Sequence, residues 1–502
     1  MKSVPKRRGR RLLLLALAAI WLGTALWHSY KPLPTGTHVT GPMLPVTDDS
    51  LLLLTDVTAA DHYGELTTQQ TIHAATLNLV RNAQHFLVLD FFLFNSQGGP
   101  AGPMRYEEGR QPVAFELLEA LRTLRQRQPQ IPVLVLIDPI NDYYRGTAPD
   151  ALAALEQMGV QVVVTDLLPL RDSNPLYSTT WRLLLGWWLR PGVNGHFTNP
   201  LDATGPELTL GALTRIPHFK ANHRKVALTS TAEGTLRGIV SSANPHDASS
   251  AHSNVALQLE GEALRPLLAS ELAVAKFSGW RGEPYQALAS LTETPQPALA
   301  MAASTSLAGI ATEGAIREQW LARIAATTAG DSIELAMFYL ADRPIIEALL
   351  AAAQRGVSIR VLLDPNKDAF GFEKSGIPNR QVASELITAS DGAIRLRWYR
   401  THGEQFHTKL TAVHSGDRLW LMLGSANFTR RNLSDYNLEA NVIVDTPAES
   451  PLAADVSIWF ERLWNNRPGG TEYSADADVY AEPAQGRYWL YRFMEATGLS
   501  LF

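Results

Sequence analysis

The stretch VLVLIDP at residues 133–139 returns as IRVLLDP at residues 359–365. Each copy is a short apolar run ending in Asp-Pro, and each follows a helical pattern, Phe115 to Arg127 in the first case and Ile345 to Arg355 in the second. The repeat widens on both sides. Upstream, LNLVRNAQHFLVLDFFLFN (77–95) and WLARIAATTAGDSIELAMFY (320–339) share the order of a helical tail followed by an apolar run. Downstream, Val160 to Thr165 and Ile394 to Tyr399 supply a third strand-like run in each copy. Apolar runs of this length alternating with helices predict strands buried on both faces, hence an α/β architecture. The body is expected to consist of two similar α/β halves, residues 50–290 and 300–500, packed about a pseudo-twofold axis and preceded by one hydrophobic helix.

Length and composition agree with that plan. A chain of 502 residues exceeds what one hydrophobic core usually organises, and 46% hydrophobic with 19% charged residues is an ordinary globular composition. With no cysteine, disulfides, thiolate catalysis and Cys-ligated metal centres are excluded together. The net charge of -5 conceals a split: six basic residues lie within the first eleven, and the remainder carries -11, 38 basic against 49 acidic. That balance argues against a duplex-coating protein, which needs many cations against phosphates, and no nucleic acid is expected as an obligatory partner.

After Arg11, residues 12–30 contain no charge. A helix needs about 20 such residues to cross a hydrocarbon layer. The basic flank before it, with Trp27 and Tyr30 at its far end, predicts a membrane anchor (residues 1–30) whose amino end is cytoplasmic and whose body lies outside the cytoplasm. Gly23 and Ala25 keep open a cleaved signal peptide and a secreted product. Residues 31–49 begin rich in Pro, Gly and Thr and read as a linker.

The halves differ in one place. Asp138 to His223 is about forty residues longer than Asp364 to His407, and the extra segment includes the tryptophan-rich run from Trp181 to Leu189. Such a run either covers core or dips into a lipid interface. The Asp-Pro pairs likewise admit two readings, a turn that stops the strand or support for a site at the strand end.

Two further motifs are doubled. His223-Arg-Lys225 is followed by Ser241-Ser242-Ala243-Asn244, and His407-Thr-Lys409 by Gly424-Ser425-Ala426-Asn427. On a strand, residues i and i+2 share a face, so each His and Lys point the same way. Two imidazoles, two lysines and two Asn suit displacement at a phosphodiester. One neutral imidazole attacks phosphorus, the other protonates the leaving oxygen, and cations and amides hold the non-bridging oxygens.

This doubled HxK and SxN pattern resembles the phospholipase D superfamily, in which two motifs form one active site between similar halves. The resemblance implies a covalent phosphohistidine intermediate and no required metal or cofactor. It also implies a phospholipid substrate whose phosphatidyl group is hydrolysed or transferred, in the manner of phosphatidylserine, phosphatidylglycerophosphate or cardiolipin synthases. By position, His223 and His407 become nucleophile and general acid, and Lys225 and Lys409 phosphate ligands. Asn244 and Asn427 become oxyanion donors, with Ser242 and Ser425 at the phosphate. Glu439 matches the family's acid that orients a catalytic histidine, while Val255 or Ala256 falls at the corresponding place in the first half. Family habit favours His223 as nucleophile, whereas Glu439 would assist His407 if both came from one half.

The sequence departs from the family at the motif aspartates, whose positions hold Ser230 and His414, with Asp417 near the second. His218-Phe-Lys220 is an additional HxK out of step with the other half. His246 and His252 are expected in a loop lining the site; a metal group of His218, His223, His246 and Asp247 matches no familiar ligand spacing. A nuclease of the same superfamily and a catalytically inactive scaffold stand as the alternative functions.

Overall fold

The computed structural model describes residues 5–97, 110–282, 288, 290, 305–369, 372–466, 470–482, 484–500 and 502. The expected boundary between the halves, at residues 290–300, lies almost wholly outside the described residues.

Two sheets carry the fold. In spatial order the first comprises Leu66–Gln70, Leu51–Ala60, Asn254–Glu260, Leu236–Ser241, Lys225–Ser230, Leu87–Phe91, Val133–Ile137 and Gln161–Val164. The second comprises Leu44–Val46, Ser306–Thr312, Ala440–Pro447, Arg418–Gly424, Lys409–Ser415, Ser332–Met337, Ser358–Leu363, Ile394–Tyr399 and Ser474–Asp476. In each, three parallel strands join an antiparallel group at the strand that opens with the HxK lysine. Lys225 stands opposite Phe91 and Lys409 opposite Met337, the last residues of the parallel strands Leu87–Phe91 and Ser332–Met337 that border the antiparallel group. Both motifs therefore lie at the carboxyl ends of parallel strands, where open α/β sheets place their ligands.

The continuous apolar runs are explained by burial on both faces. Val88, Leu134 and Leu136 enter a core shared with Leu421, Leu423 and Val442 of the other sheet. Their neighbours Leu87, Leu89, Val133 and Val135 pack outward beneath the helices Thr71–Arg81 and Val113–Arg127. The second half repeats the plan, with Ile333, Leu335 and Val361 under the helices Gly314–Ala325 and Arg343–Gln354. Each Leu, Ile or Val so placed contributes roughly 1.5–3 kcal/mol over exposure. A polar residue every second position, as in a one-sided sheet, would forfeit one of the two layers.

The apolar amino-terminal helix runs Pro5–Tyr30, and its span Gly9–Tyr30 is long and apolar enough to cross a membrane. Its later turns rest on the helix Pro175–Leu184 of the insertion, where Trp21 Nε1 donates to Thr180 Oγ1 at 3.2 Å. The insertion also holds the helix exit: Asp172 N donates to His28 O at 2.8 Å and Lys31 Nζ to Leu168 O at 3.1 Å. The reading of the tryptophan-rich run as core cover holds for its first indole alone. Trp181 is core, whereas Trp187 and Trp188 are 72% and 73% exposed.

Within the segment read as a linker, Leu44–Val46 is an edge strand paired antiparallel with Ser306–Thr312. Thr37 is fully buried.

Candidate active site

At the interface of the halves lies a cavity of about 570 Å³ whose lining includes His223, His407, Asn244 and Asn427. Much of its wall is aromatic, with Phe92, Phe338, Tyr144 and Tyr339 among the contributors. His246 and His252 line it too, as expected of that loop.

The histidines are anchored crosswise. His223 Nδ1 lies 2.9 Å from Glu439 Oε1, a carboxylate from the second half. His407 Nδ1 lies 3.1 Å from Asn254 Oδ1, an amide from the first half. With Nδ1–H donated in each case, Nε2 keeps its lone pair, and no hydrogen bond to it occurs among the described residues. Backbone contacts fix the same crossing: His223 N donates to Leu438 O at 2.9 Å, and Ser253 N to Gln405 O at 3.0 Å. Glu439 therefore meets His223 from the opposite half, and not His407, which it would have assisted had both partners come from one half. The strand that follows each SxN motif stays in its own sheet, and its entry, at Asn254 in the first half and just after Glu439 in the second, meets the opposite half.

Asn254 was not legible at the matched spacing, because the first half reaches its polar residue two positions earlier than Glu439 would suggest. The serines give the clue. Ser242 Oγ donates to Asn254 Oδ1 at 2.9 Å, just as Ser425 Oγ donates to Glu439. Both hydroxyls are fully buried and occupied in this way, so Ser242 and Ser425 stand behind the histidine partners rather than on the cavity wall. Asn432 Nδ2 also donates to Glu439.

The lysines lie one layer deeper. Each is 1% exposed, and each ammonium donates to the carbonyl of its own motif histidine. Phe92 and Phe338, the residues just after the strands Leu87–Phe91 and Ser332–Met337, cover them with ring centroids 5.1 Å from Nζ in both halves. The same rings sit 4.9 Å from His223 and from His407. Their equal place in the repeat was a signal available in the sequence.

Burial dominates the titration of this site. It pushes His223 down to about 4, against the pull of Glu439 and with the help of Lys225. Burial, then Lys409, holds His407 well below the ordinary histidine value. Burial also lowers Lys225 to about 7, and burial together with Lys225 lowers Lys409. Burial would raise the Glu439 carboxyl, but His223, Lys225 and the Ser425 hydroxyl together hold it below its usual range. The resting pair is thus a neutral imidazole against a carboxylate.

Both readings of the Asp-Pro pairs hold at once. Asp138 accepts from Ile140 N and from Asn222 N, each at 2.7 Å, the latter being the residue before His223. Asp364 accepts from Asn366 N at 2.6 Å and from Phe406 N, before His407, at 2.8 Å. Each acid stops its strand and clamps the chain that carries the histidine.

The positions of the absent aspartates are remote. Ser230 is five residues along the strand from Lys225, about 17 Å at 3.4 Å per residue, and its hydroxyl meets His85 Nδ1 at 2.9 Å. His414 stands opposite Ser332 at the far end of its strand, 3.4 Å from Glu334. Asp417 is exposed in the following turn and does not substitute. The grouping of His218, His223, His246 and Asp247 does not assemble either. His218 meets Ser178, His246 meets Ser249 and the Gln97 carbonyl, and Asp247 accepts from Ala114 N.

One network had no sequence signal. Arg224, between the motif His and Lys, turns to the other face of the chain and is fully buried against Glu271 at 3.1 Å and Glu313 at 2.7 Å. Glu313 belongs to the second half and also accepts from Glu439 N at 3.1 Å.

Residues 322–464 match the family model described as cardiolipin synthase, PLD-like domain. No curated protein sequence matches the chain significantly. Among solved structures, phosphatidylserine synthase from Haemophilus influenzae Rd KW20 aligns over 91% of this chain and 96% of its own, with 12% identity and a TM-score of 0.56. Polyphosphate kinase from Porphyromonas gingivalis aligns over 90% of this chain and 53% of its own (14% identity, TM-score 0.41). Nuc, a phospholipase D family member from Salmonella typhimurium, aligns over 33% of this chain and 98% of its own (21% identity, TM-score 0.26). The second half thus carries a match to a PLD-like domain, and the chain as a whole shares the two-domain fold of the synthase.

Proposed function

We propose that the chain is a membrane-tethered phosphodiesterase that hydrolyses or transfers phosphatidyl groups through a phosphohistidine intermediate. The observation that carries this reading is the crosswise pair: two neutral imidazoles at one aromatic-walled cavity, each held by Nδ1. In the first step His223 Nε2 bonds to phosphorus, the bond from phosphorus to the headgroup oxygen breaks, and that oxygen takes a proton from His407. In the second, His407 removes a proton from water or an alcohol whose oxygen displaces His223 from phosphorus. The anionic diester offsets the charge of Lys225 and Lys409 beneath the floor, which lets His407 enter protonated. Asn244 and Asn427, on the wall, are the amides for the non-bridging oxygens. The carboxylate of Glu439 favours His223 as nucleophile, because it stabilises imidazolium character as the bond to phosphorus forms.

The acidic balance of the body, 38 basic against 49 acidic residues, favours a lipid over nucleic acid, whose recognition needs a basic groove tracking the backbone. The helix Gly9–Tyr30 supports anchoring, with the basic flank in the cytoplasm and the body outside it. The test uses the full chain in detergent with phosphatidylglycerol or phosphatidylethanolamine vesicles. Headgroup release and a trapped phosphohistidine, lost in His223→Ala, are expected. Turnover of single-stranded DNA alone would replace the lipid reading with the nuclease. No turnover and no adduct would leave the scaffold.

A further inference from the structure

A second cavity of about 270 Å³ adjoins the first, and Tyr144 and Lys220 belong to the walls of both. Its polar lining includes Arg145, Asp166, Arg215 and His218. Of the out-of-step HxK, His218 lines this second cavity and not the first, while Lys220 reaches both.

The cations here are not equivalent. Lys220 is occupied: its ammonium lies 2.5 Å from Asp172 and donates to the carbonyls of Leu170 at 2.7 Å and Leu167 at 3.3 Å. Arg215 is not. Its guanidinium has no ion pair or hydrogen bond among the described residues, its Nε is buried, and its nearest aromatic contact is the Trp181 ring at 5.9 Å. Arg145 sits at the rim, 59% exposed, with only a 3.6 Å approach to Asp142. His218 is 6% exposed and meets Ser178 Oγ at 2.8 Å through Nδ1, while its buried Nε2 has no partner. Burial, then Lys220, pushes this imidazole down to about 3, so it is neutral. With Ser178 donating to Nδ1, Nε2 carries a hydrogen and serves as a donor.

The wall between the cavities is strained. Tyr143, Tyr144 and Arg145 are consecutive residues in the left-handed region, with φ of 48°, 60° and 66°. Asp142 holds the turn by accepting from Arg145 N at 2.8 Å, and Tyr143 Oη donates to Asp202 at 2.7 Å. Such conformations persist where the surroundings over-determine them, typically at ligand clamps. Here the turn sets Tyr144 between the cavities and Arg145 over the second.

We propose that the second cavity is a phosphate subsite, formed by Arg215, Arg145 and His218, that binds the phosphate of an acceptor alcohol and presents its hydroxyl to the catalytic cavity. This deepens the phosphatidyl-transfer reading and rests on it for the acceptor's role. The ligand chemistry is a glycerol phosphate, either free or as the headgroup of an anionic lipid. Two planar guanidinium forks and one neutral donor match a phosphate ester, whereas the single acid, Asp166, disfavours binding without a counter-cation. The exit of the amino-terminal helix lies beside the same wall through Leu168 and Asp172, which brings lipid headgroups near it.

The test compares acceptors and binding in the full chain in detergent micelles. Arg215→Ala and, separately, Arg145→Ala are expected to raise KM for sn-glycerol 3-phosphate or phosphatidylglycerol about tenfold or more, from the loss of a charged hydrogen bond. KM for unphosphorylated glycerol and the rate of headgroup release to water should stay unchanged. Titration calorimetry with sn-glycerol 3-phosphate should show the same loss of affinity. Free glycerol phosphate binding alone, or the lipid alone, identifies which source the site takes. Equal affinity in wild type and both variants, or an equal effect on glycerol, overturns the subsite. If wild type turns over no lipid, the phosphatidyl reading fails while the binding titration still decides whether the subsite exists.

Discussion

His223 Nδ1 and Glu439 Oε1 stand 2.9 Å apart across the interface between the two halves. The reciprocal pair, His407 with Asn254, crosses the same interface in the other direction at 3.1 Å. A half folded by itself would present a histidine without the group that fixes its tautomer, so the anchored pair exists only when the two halves are assembled. The inequality of the partners, a carboxylate for His223 and an amide for His407, also breaks the symmetry of the repeat.

Glu439→Gln tests that asymmetry. An amide oxygen can still accept from Nδ1–H, but without the carboxylate charge the developing imidazolium is unsupported, so kcat should fall by about 10²–10⁴ with little change in KM. Phosphohistidine trapping measures the first step directly. A variant that forms adduct at the wild-type rate would exclude the role given to Glu439.

Lys225 predicts an alkaline limb. Its ammonium titrates at about 7 because burial disfavours the charged form, so positive charge under the cavity is present below that pH and is lost as pH rises through it. The pH profile of kcat/KM for an anionic diester should therefore decline above about 7, and Lys225→Arg should make the decline shallower because a guanidinium stays charged while Lys409 and His407 still titrate. A profile flat to pH 9 in the wild type would contradict it.

Arg224 bears on stability. Arg224→Ala leaves Glu271 and Glu313 buried without their cation, which is expected to cost roughly 3–5 kcal/mol in denaturant unfolding. Replacing all three with apolar residues of similar volume should recover most of that loss. Unchanged unfolding midpoints in Arg224→Ala would show that the buried triad contributes nothing.

Restoring the family aspartates should do little. Ser230 and His414 lie at the strand ends opposite the cavity, so Ser230→Asp and His414→Asp are expected to leave kcat/KM within about twofold, as for substitutions away from any special feature. A large gain in either variant would mean that the site communicates with the far strand end.

The exposed indoles of the insertion test its lipid contact. The chain has no cysteine, so Trp187→Cys accepts a single environment-sensitive fluorophore. In nanodiscs that label should shift to the blue and be quenched by brominated lipid, as expected for a side chain at the interface, while a label at Tyr63, 84% exposed, should not. Identical spectra at the two positions would return the run to an ordinary surface.

The fold was legible because burial on both faces leaves a local mark: VLVLIDP and IRVLLDP, with their flanking helices, recur in order and need no tertiary information to be recognised. His223, Lys225, His407 and Lys409 were legible for the same reason, since the period of a strand puts i and i+2 on one face. The partners were not. Asn254 is displaced by two positions from the place Glu439 predicts, and Ser242 and Ser425 turn their hydroxyls to those partners instead of to the cavity. Periodicity specifies which face a side chain takes within its own strand, but not which strand of the other half it will meet. The sequence by itself therefore determined two matched halves with two imidazoles and two lysines. Only the tertiary structure decided that each imidazole is held by the opposite half, because that contact depends on how two sheets pack face to face and on no spacing within either.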